Sequence, residues 1–232
     1  MGFVVVLLFA FIIFAIAWIL IRLFHVPEPE IFSLYFGSPG CGKTTFLTRL
    51  AVKSLKKNRV FTNYKVNCDG IAKFEKVNIG KDAFPEYSLL IFDEGSLNGF
   101  DNRDFKTNFK NNNSLEYFKL LRHYKNSVVF GNQGFDELDK KIRTLTNEFW
   151  FVRKFFRFSF AVRVFKFTTI DEHQQIIDGY RFPAGWKILL FPKYFQIIYR
   201  PSWYKYFNSY ERPGLPDINI NYWKDEVLCD EN

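Results

Sequence analysis

The sequence predicts an α/β protein in which a mainly parallel central sheet is flanked by helices, preceded by one apolar helix and followed by a β-rich extension. In the middle of the chain, short apolar runs alternate with segments of helical spacing, which is typical of βαβ units. Residues 2–24 form one long apolar run. Beyond residue 155, apolar and polar residues alternate, as expected for strands with one buried face.

The length of the chain favours one substantial domain with short appendages. It has 232 residues, and single domains commonly run to about 100 to 200. We predict four segments: a transmembrane helix at 2–24, a linker at 25–30, an α/β core at 31–155, and an aromatic, basic, β-rich extension with its tail at 156–232. Pro27 and Pro29 stiffen the linker.

The charge and the cysteines narrow the range of partners and compartments. The formal net charge of +8 suits an anionic partner, such as nucleic acid, a nucleotide or anionic lipid. Cys41, Cys68 and Cys229 are widely spaced and form no metal-ligand pattern. We therefore expect reduced thiols in a cytosolic compartment and no zinc site.

The apolar N-terminal run is long enough to cross a membrane. Gly2 to Ile21 contains no charged residue, and about 20 residues at 1.5 Å each span a hydrocarbon core of roughly 30 Å. A cleaved signal peptide is the alternative, because Ala15-Ile16-Ala17 has the small-x-small pattern, but no basic region precedes the run. Arg22 follows it at once, which predicts an outside N-terminus and a cytoplasmic body.

A phosphate-binding motif follows the first predicted strand. The apolar run IFSLYF at 31–36 leads into GSPGCGKT at 37–44, a complete GxxxxGK[ST] pattern, and a helix is expected from Lys43 to about Lys56. Its glycines let backbone amides face an anion, Lys43 reaches the β and γ phosphates, and Thr44 supplies a hydroxyl ligand to Mg²⁺. The sequence thus predicts ATP and Mg²⁺ as cofactors. The predicted nucleotide-binding residues are Gly37, Ser38, Pro39, Gly40, Cys41, Gly42, Lys43, Thr44 and Thr45.

An acidic pair ends a second apolar run. Tyr87 to Phe92 reads as a strand and is followed by Asp93 and Glu94. Such a pair is usually a solvated turn, but its position about 50 residues after the phosphate-binding motif favours a catalytic role. Asp93 would hold Mg²⁺ through water, and Glu94 would deprotonate the attacking water. We therefore expect hydrolysis rather than binding alone.

A third strand is predicted at Ser127 to Asn132, and it brings Gln133 to the same edge of the sheet. Gln133 is a candidate sensor of the γ phosphate. The alternative is an ordinary turn amide before Gly134.

The remaining core elements are assigned from periodicity and composition. The polar segment Gly95 to Ser114 predicts a long mobile loop. Helical spacing of apolar residues follows at 117–124. A short helix is then expected at Asp136 to Leu145, and a strand at Phe149 to Arg153.

The order of these motifs resembles the zonular occludens toxin (Zot) domain family, which occurs in the morphogenesis ATPases of filamentous phages. The matching segments are GSPGCGKT at 37–44, NRVFTN at 58–63, LLIFDEG at 89–95, RH at 122–123 followed by Gln133, and LDKKIRTL at 138–145. The resemblance covers about residues 31–155.

The resemblance implies a P-loop ATPase related to the FtsK/HerA pumping class. Such a protein would form a homo-oligomeric ring, a hexamer being one arrangement, in the host inner membrane. It would drive assembly and export of a filamentous phage, with coat protein and single-stranded DNA as partners. A neighbouring subunit would complete each site with an arginine, for which Arg143 or Arg122 is the candidate; the alternative is an ordinary ion-pairing residue. Family members commonly place their transmembrane helix after the ATPase domain, whereas here it comes first.

The segment from Trp150 to Ile170 carries five basic residues and no acid. They are Arg153, Lys154, Arg157, Arg163 and Lys166. A basic, aromatic surface suits single-stranded DNA, while a solvated face, or one that faces anionic lipid, is the plainer alternative. Direct DNA contact therefore stays open.

There are two alternatives to phage export. One is a genome-packaging ATPase of a membrane-containing virus. The other is a membrane-tethered nucleotide-binding scaffold with little turnover.

Overall fold

The computed structural model describes residues 2–74, 84–95, 113–170 and 176–208. The helices are α1 (Gly2–Phe24), α2 (Lys43–Ser54), α3 (Asn113–Leu120), α4 (Lys140–Leu145) and α5 (Gly185–Leu190). The strands are β1 (Phe32–Phe36), β2 (Arg59–Thr62), β3 (Ile71–Lys73), β4 (Ser88–Asp93), β5 (Ser127–Asn132), β6 (Glu148–Phe155), β7 (Phe158–Ile170), β8 (Ile176–Arg181) and β9 (Phe195–Tyr199). Two 3₁₀ turns lie at Pro192–Tyr194 and Arg200–Tyr206.

The strands form one sheet in the order β3-β2-β4-β5-β1-β6-β7-β8, with β9 also pairing with β7. The pairings from β3 to β6 are all parallel, and those of β7 with β6, β8 and β9 are antiparallel. This architecture confirms the predicted fold class. The carboxyl ends of β1, β4 and β5 meet at one edge, where ligands of open α/β sheets bind.

The central strands are buried on both faces, which explains their continuous apolar sequence. All five residues of β1 are buried, and successive side chains enter different clusters. Leu34 packs in the cluster that contains Leu121 and Ile142. Tyr35 packs in the cluster that contains Phe46 and Leu47 of α2. The two clusters hold the sheet between its helices.

The C-terminal extension continues the sheet rather than standing beside it. Phe158 at the start of β7 pairs with Phe155 on one side and with Tyr199 of β9 on the other. The sheet thus runs across the predicted boundary at residue 155, and the division into core and extension stays a prediction. On β7, Ser159 and Ala161 are fully buried, whereas Phe158 and Phe160 are partly exposed. Only small side chains fit there, because this face of β7 lies against the phosphate-binding loop and α2.

The helix α1 is long and apolar enough to cross a membrane. Its base is joined to the rest of the protein by two buried arginines. Arg22, near the end of α1, donates to one backbone carbonyl within α5 and to two that follow α5. Arg49 of α2 donates to the carbonyls of Leu23, at 2.5 Å, and His25, at 2.9 Å. The end of α1 is therefore attached to α2.

Some element boundaries differ from those predicted. The helix expected from Asp136 begins only at Lys140, because Asp139 is extended and its side chain accepts a hydrogen bond from Lys141 N at 2.7 Å as an N-cap. Strands β3, β8 and β9 and helix α5 were not predicted. Most of the loop expected at Gly95–Ser114 lies outside the described residues.

Candidate nucleotide site

The loop between β1 and α2 is braced from outside by β7. Gly42 has φ 97°, in the left-handed region, and a Cβ there would lie 2.3 Å from Ser159 Oγ. Only glycine fits this conformation and this space. Ser159 Oγ also donates to the carbonyl of Cys41 at 2.6 Å. The loop backbone is therefore held in place by a strand more than a hundred residues away.

Lys43 lies at the mouth of the loop and is 7% exposed. Its Nζ donates to the carbonyl of Gly37 at 2.7 Å and to that of Ser38 at 3.2 Å. An ammonium group has three donors. Two are thus used within the described residues, and the amine stands where the loop would enclose a phosphate.

The phosphate-binding motif and the acidic pair meet at this edge of the sheet. Thr44 Oγ1 donates to Asp93 Oδ2 at 2.5 Å, which joins the start of α2 to the end of β4. The side chain of Asn63 brackets the Asp93 backbone, with Asn63 Nδ2 to Asp93 O at 2.7 Å and Asp93 N to Asn63 Oδ1 at 2.8 Å. Sequence reasoning assigned Asn63 no role, although it ends the NRVFTN segment.

Burial raises the pKa of Asp93 to about 6, and the charge of Glu94 adds to this shift. The hydrogen bond from Thr44 and the charge of Lys43 oppose it. A hydroxyl and a buried carboxylate are the oxygen ligands that Mg²⁺ prefers. A divalent cation would also offset the cost of the buried charge. The residues present therefore fit the predicted metal.

We expect Mg²⁺-dependent nucleotide affinity to fall as the pH drops below about 6, because protons compete with the metal for the Asp93 carboxylate. The test is to compare the dissociation constants of ATP with Mg²⁺ and with EDTA, from about pH 5 to about pH 8. Asp93→Asn is the control for protonation of ATP itself, because this variant lacks the carboxylate. Its affinity for ATP should depend only weakly on Mg²⁺ at every pH. An identical Mg²⁺-dependent profile in this variant would contradict the assignment.

A cavity of about 680 Å³ opens over this edge, within the range of about 300 to 1,000 Å³ usual for ligand sites. Among the predicted nucleotide-binding residues, Pro39, Gly40, Gly42, Lys43, Thr44 and Thr45 line it. Gly37 and Ser38 contribute the carbonyls that hold Lys43. The Cys41 side chain is 1% exposed and packs into the core, which leaves only its backbone to the loop.

Glu94 and Gln133 face the same cavity as Asp93. Glu94 adopts φ 52°, a left-handed conformation that costs a non-glycine residue about 1 to 3 kcal/mol and is concentrated at functional sites. Gln133 is fixed to the loop because its carbonyl accepts from Gly37 N at 3.2 Å. The catalytic role of Glu94 and the sensor role of Gln133 stay predictions.

Asn132, the last residue of β5, is fully buried, and within the described residues neither of its side-chain amide atoms has a hydrogen-bond partner. A Cβ on Gly95 would lie 3.1 Å from its Oδ1, which places the amide beneath the turn that follows Asp93. Leaving such a group unpaired costs about 1 to 3 kcal/mol. The sequence assigned Asn132 no role, although a polar residue at the end of an apolar strand is a signal that could have marked it.

The candidate arginines are placed differently from one another. Arg143 is 6% exposed, pairs with Asp136 at 2.5 Å, and lies 5.1 Å from the centroid of the Phe135 ring. It does not line the cavity. Arg122 is exposed beyond the end of α3. The finger role of either residue stays a prediction.

The C-terminal segment supplies a wall of the cavity that sequence reasoning missed. Arg200, Tyr204, Phe207 and Asn208 all line it, as does Lys154 of β6. Arg200 Cδ lies 3.1 Å from the position of a Cβ on Gly42, and its guanidinium donates to the Phe156 carbonyl. No motif marked these residues, since their place depends on how β9 folds back onto β7.

The strand order, the loop geometry and the buried acid at the end of β4 together decide the fold class. The fold is that of a P-loop NTPase. The P-loop strand β1 and the acidic strand β4 are separated by β5 alone, so that Thr44 and Asp93 come into contact.

No family model matches the sequence, and no curated protein matches it either. Among solved structures, the protein is similar to the N-terminal domain of zonular occludens toxin from Neisseria meningitidis, with 17% identity over 68% of this chain and 96% of that chain, and a TM-score of 0.45. It is also similar to the genome packaging NTPase B204 from Sulfolobus turreted icosahedral virus 2 in complex with AMP, with 11% identity over 66% of this chain and 98% of that chain, and a TM-score of 0.43.

A third similar structure is the flagellar accessory protein FlaH from Methanocaldococcus jannaschii, with 14% identity over 58% of this chain and 77% of that chain, and a TM-score of 0.38. The first of the three is a domain of the family that the motifs resemble. At these identities the likeness concerns the fold, and the P-loop itself is defined by the contacts of Lys43, Thr44 and Asp93 in this chain.

Proposed function

We propose that this protein is a membrane-anchored ATPase that powers assembly and export of a filamentous single-stranded DNA phage through the host inner membrane. The observation that carries the ATPase proposal is the 2.5 Å contact of Thr44 with Asp93, at the mouth of the loop that holds Lys43. The apolar helix α1 supports the membrane anchor. The Zot-like order of the motifs supports phage assembly.

The residues of the site divide the work of hydrolysis. The loop amides and Lys43 bind the phosphates. Thr44 and Asp93 would hold Mg²⁺, whose charge would offset that of the phosphate oxygens. Glu94 takes a proton from the attacking water, a step that contributes about 10²- to 10⁴-fold. Gln133, which lines the same cavity, senses the γ phosphate.

The topology and partners follow from the same proposal. The N-terminus lies outside and the ATPase domain in the cytoplasm, because the basic flank and the supply of ATP favour that side. Copies of the chain form a ring in which a neighbour's arginine completes each site. Arg122 is better placed for this than Arg143, since the Arg122 side chain is exposed and that of Arg143 is buried and paired. Phage coat protein and single-stranded DNA are the proposed cargo.

The test uses the full chain in lipid nanodiscs, with ATP hydrolysis measured with and without Mg²⁺, single-stranded DNA and coat protein. We expect Mg²⁺-dependent hydrolysis that DNA stimulates, and a loss of at least about 100-fold in Lys43→Ala. Stimulation by DNA with no dependence on coat protein would instead indicate a genome-packaging ATPase. Failure of the wild-type protein to retain Mg-ATP would overturn the proposal.

We expect Arg200→Ala to weaken nucleotide binding by about 10- to 100-fold, because a charge-assisted hydrogen bond to phosphate contributes about 1.5 to 3 kcal/mol. The measurement is the dissociation constant of Mg-ATP. Lys205→Ala is the matched control: it removes an exposed cation from the same 3₁₀ turn but does not line the cavity. Equal losses in the two variants would mean that Arg200 acts only through general charge.

A further inference from the structure

Helix α5 and the turn after it carry a group of exposed apolar side chains. Trp186 is 57% exposed, Leu190 60% and Phe191 43%. The Trp186 and Phe191 rings lie 6.3 Å apart between centroids. These three residues, together with Lys187 and Lys193, are called the α5 patch. Grouped apolar side chains on a protein surface mark a site that interacts with a membrane or with another molecule.

The α5 patch is attached to the base of α1. The Arg22 guanidinium donates to the carbonyls of Ile188 at 2.9 Å, Phe191 at 2.8 Å and Phe195 at 3.1 Å. The Trp18 ring stacks on Phe195 with 6.3 Å between centroids. Arg22 is only 1% exposed. The patch therefore cannot move away from α1 without breaking three charge-assisted hydrogen bonds.

The position of these contacts along α1 sets the level of the α5 patch relative to a membrane. At 1.5 Å per residue, about 20 residues from Gly2 cross the hydrocarbon core. Trp18 and Arg22 therefore stand at the far edge of that core, where tryptophan and basic residues are enriched. Groups held at the level of Arg22 lie among the lipid headgroups.

The chemistry of the α5 patch matches that location. The Lys187 amine lies 5.5 Å from the centroid of the Trp186 ring, and the Lys193 amine 5.9 Å from that of Phe191. Aromatic and aliphatic side chains next to lysines are typical of segments that lie in the plane of an anionic membrane surface.

We propose that the α5 patch is inserted into the headgroup region of the membrane and binds anionic lipid, as a second membrane contact beside α1. Together with α1, which Arg22 and Arg49 attach to the domain, the α5 patch holds the sheet at a fixed level relative to the bilayer. The inference rests on the membrane anchor of the proposed function and does not depend on nucleotide hydrolysis.

The test is quenching of tryptophan fluorescence by lipids brominated near the headgroup, with the full chain in nanodiscs that contain phosphatidylglycerol. We expect Trp186→Phe to remove a quenched component of the emission that the wild-type protein shows. Trp203→Phe is the control, because Trp203 packs against the protein core. We also expect Lys187→Glu with Lys193→Glu to lower quenching of the Trp186 component by more than about twofold, and only when the lipid is anionic.

Equal quenching in the wild type and Trp186→Phe would overturn the proposal. Quenching by acrylamide would then separate two explanations. If acrylamide also failed to quench Trp186, a second copy or another protein would cover the α5 patch. If acrylamide quenched Trp186, the patch would be exposed to water. Trp186→Phe should retain the ATP affinity of the wild type, which confirms that it folds.

Discussion

Replacing Glu94 with glutamine is expected to reduce ATP turnover by about 10²- to 10⁴-fold while the protein still retains nucleotide. Glutamine has nearly the same size as glutamate, but its amide does not accept the proton of the attacking water. The binding contacts of Lys43 and Thr44 are unchanged by the substitution. The measurements are phosphate release in a single turnover and the dissociation constant of Mg-ATP.

The matched control is Glu116→Gln, which removes an exposed carboxylate on α3, outside the cavity. It should leave both turnover and affinity as in the wild type. If the wild-type protein binds ATP but hydrolyses it no faster than Glu94→Gln, the chain is a nucleotide-binding scaffold rather than a motor.

Replacing Arg49 with methionine is expected to lower the free energy of unfolding by about 3 to 5 kcal/mol. The guanidinium is 2% exposed and donates to the carbonyls of Ile197 at 2.7 Å, Leu23 at 2.5 Å and His25 at 2.9 Å. Burial lowers the pKa of Arg49 to about 10, so it is still charged at neutral pH. Methionine leaves all three carbonyls without this donor, and the carbonyls at the end of a helix have no helical partner of their own.

Unfolding by denaturant in detergent measures this loss, with Lys53→Met as the control on the same helix. Lys53 is exposed, and its replacement should change the free energy of unfolding by less than about 0.5 kcal/mol. Arg49→Lys should fall between the two, because one ammonium group cannot span three acceptors held by a planar guanidinium. Equal stability of Arg49→Met and the wild type would contradict a structural role for the contact.

The contact of Arg49 with the end of α1 also affects the stability of a shortened protein. A soluble fragment that begins at Glu28 removes the Leu23 and His25 carbonyls from Arg49. It is therefore expected to be less stable than the full chain, and the defect would reach α2, which begins at Lys43.

The P-loop, the acidic pair and the three central strands were predictable because their signals are local. The loop needs glycines and a lysine at fixed spacing, and the strands that flank it are buried on both faces, which produces continuous apolar runs. The contact between Thr44 and Asp93 followed from the rule that parallel strands end at one edge. The short strand β3, with three residues, is too brief to leave a periodic pattern.

The sequence by itself therefore determined the P-loop fold class, the phosphate-binding loop, its acidic partner and an apolar helix able to span a membrane. Only the tertiary structure decided that Ser159 braces the loop, that Arg200 reaches it, and that Arg49 and Arg22 attach α1 to the rest of the protein. The physical reason is that these are contacts between residues from 24 to 173 positions apart. A hydrogen bond of that kind depends on how strands fold back on one another, and no spacing in the chain encodes it.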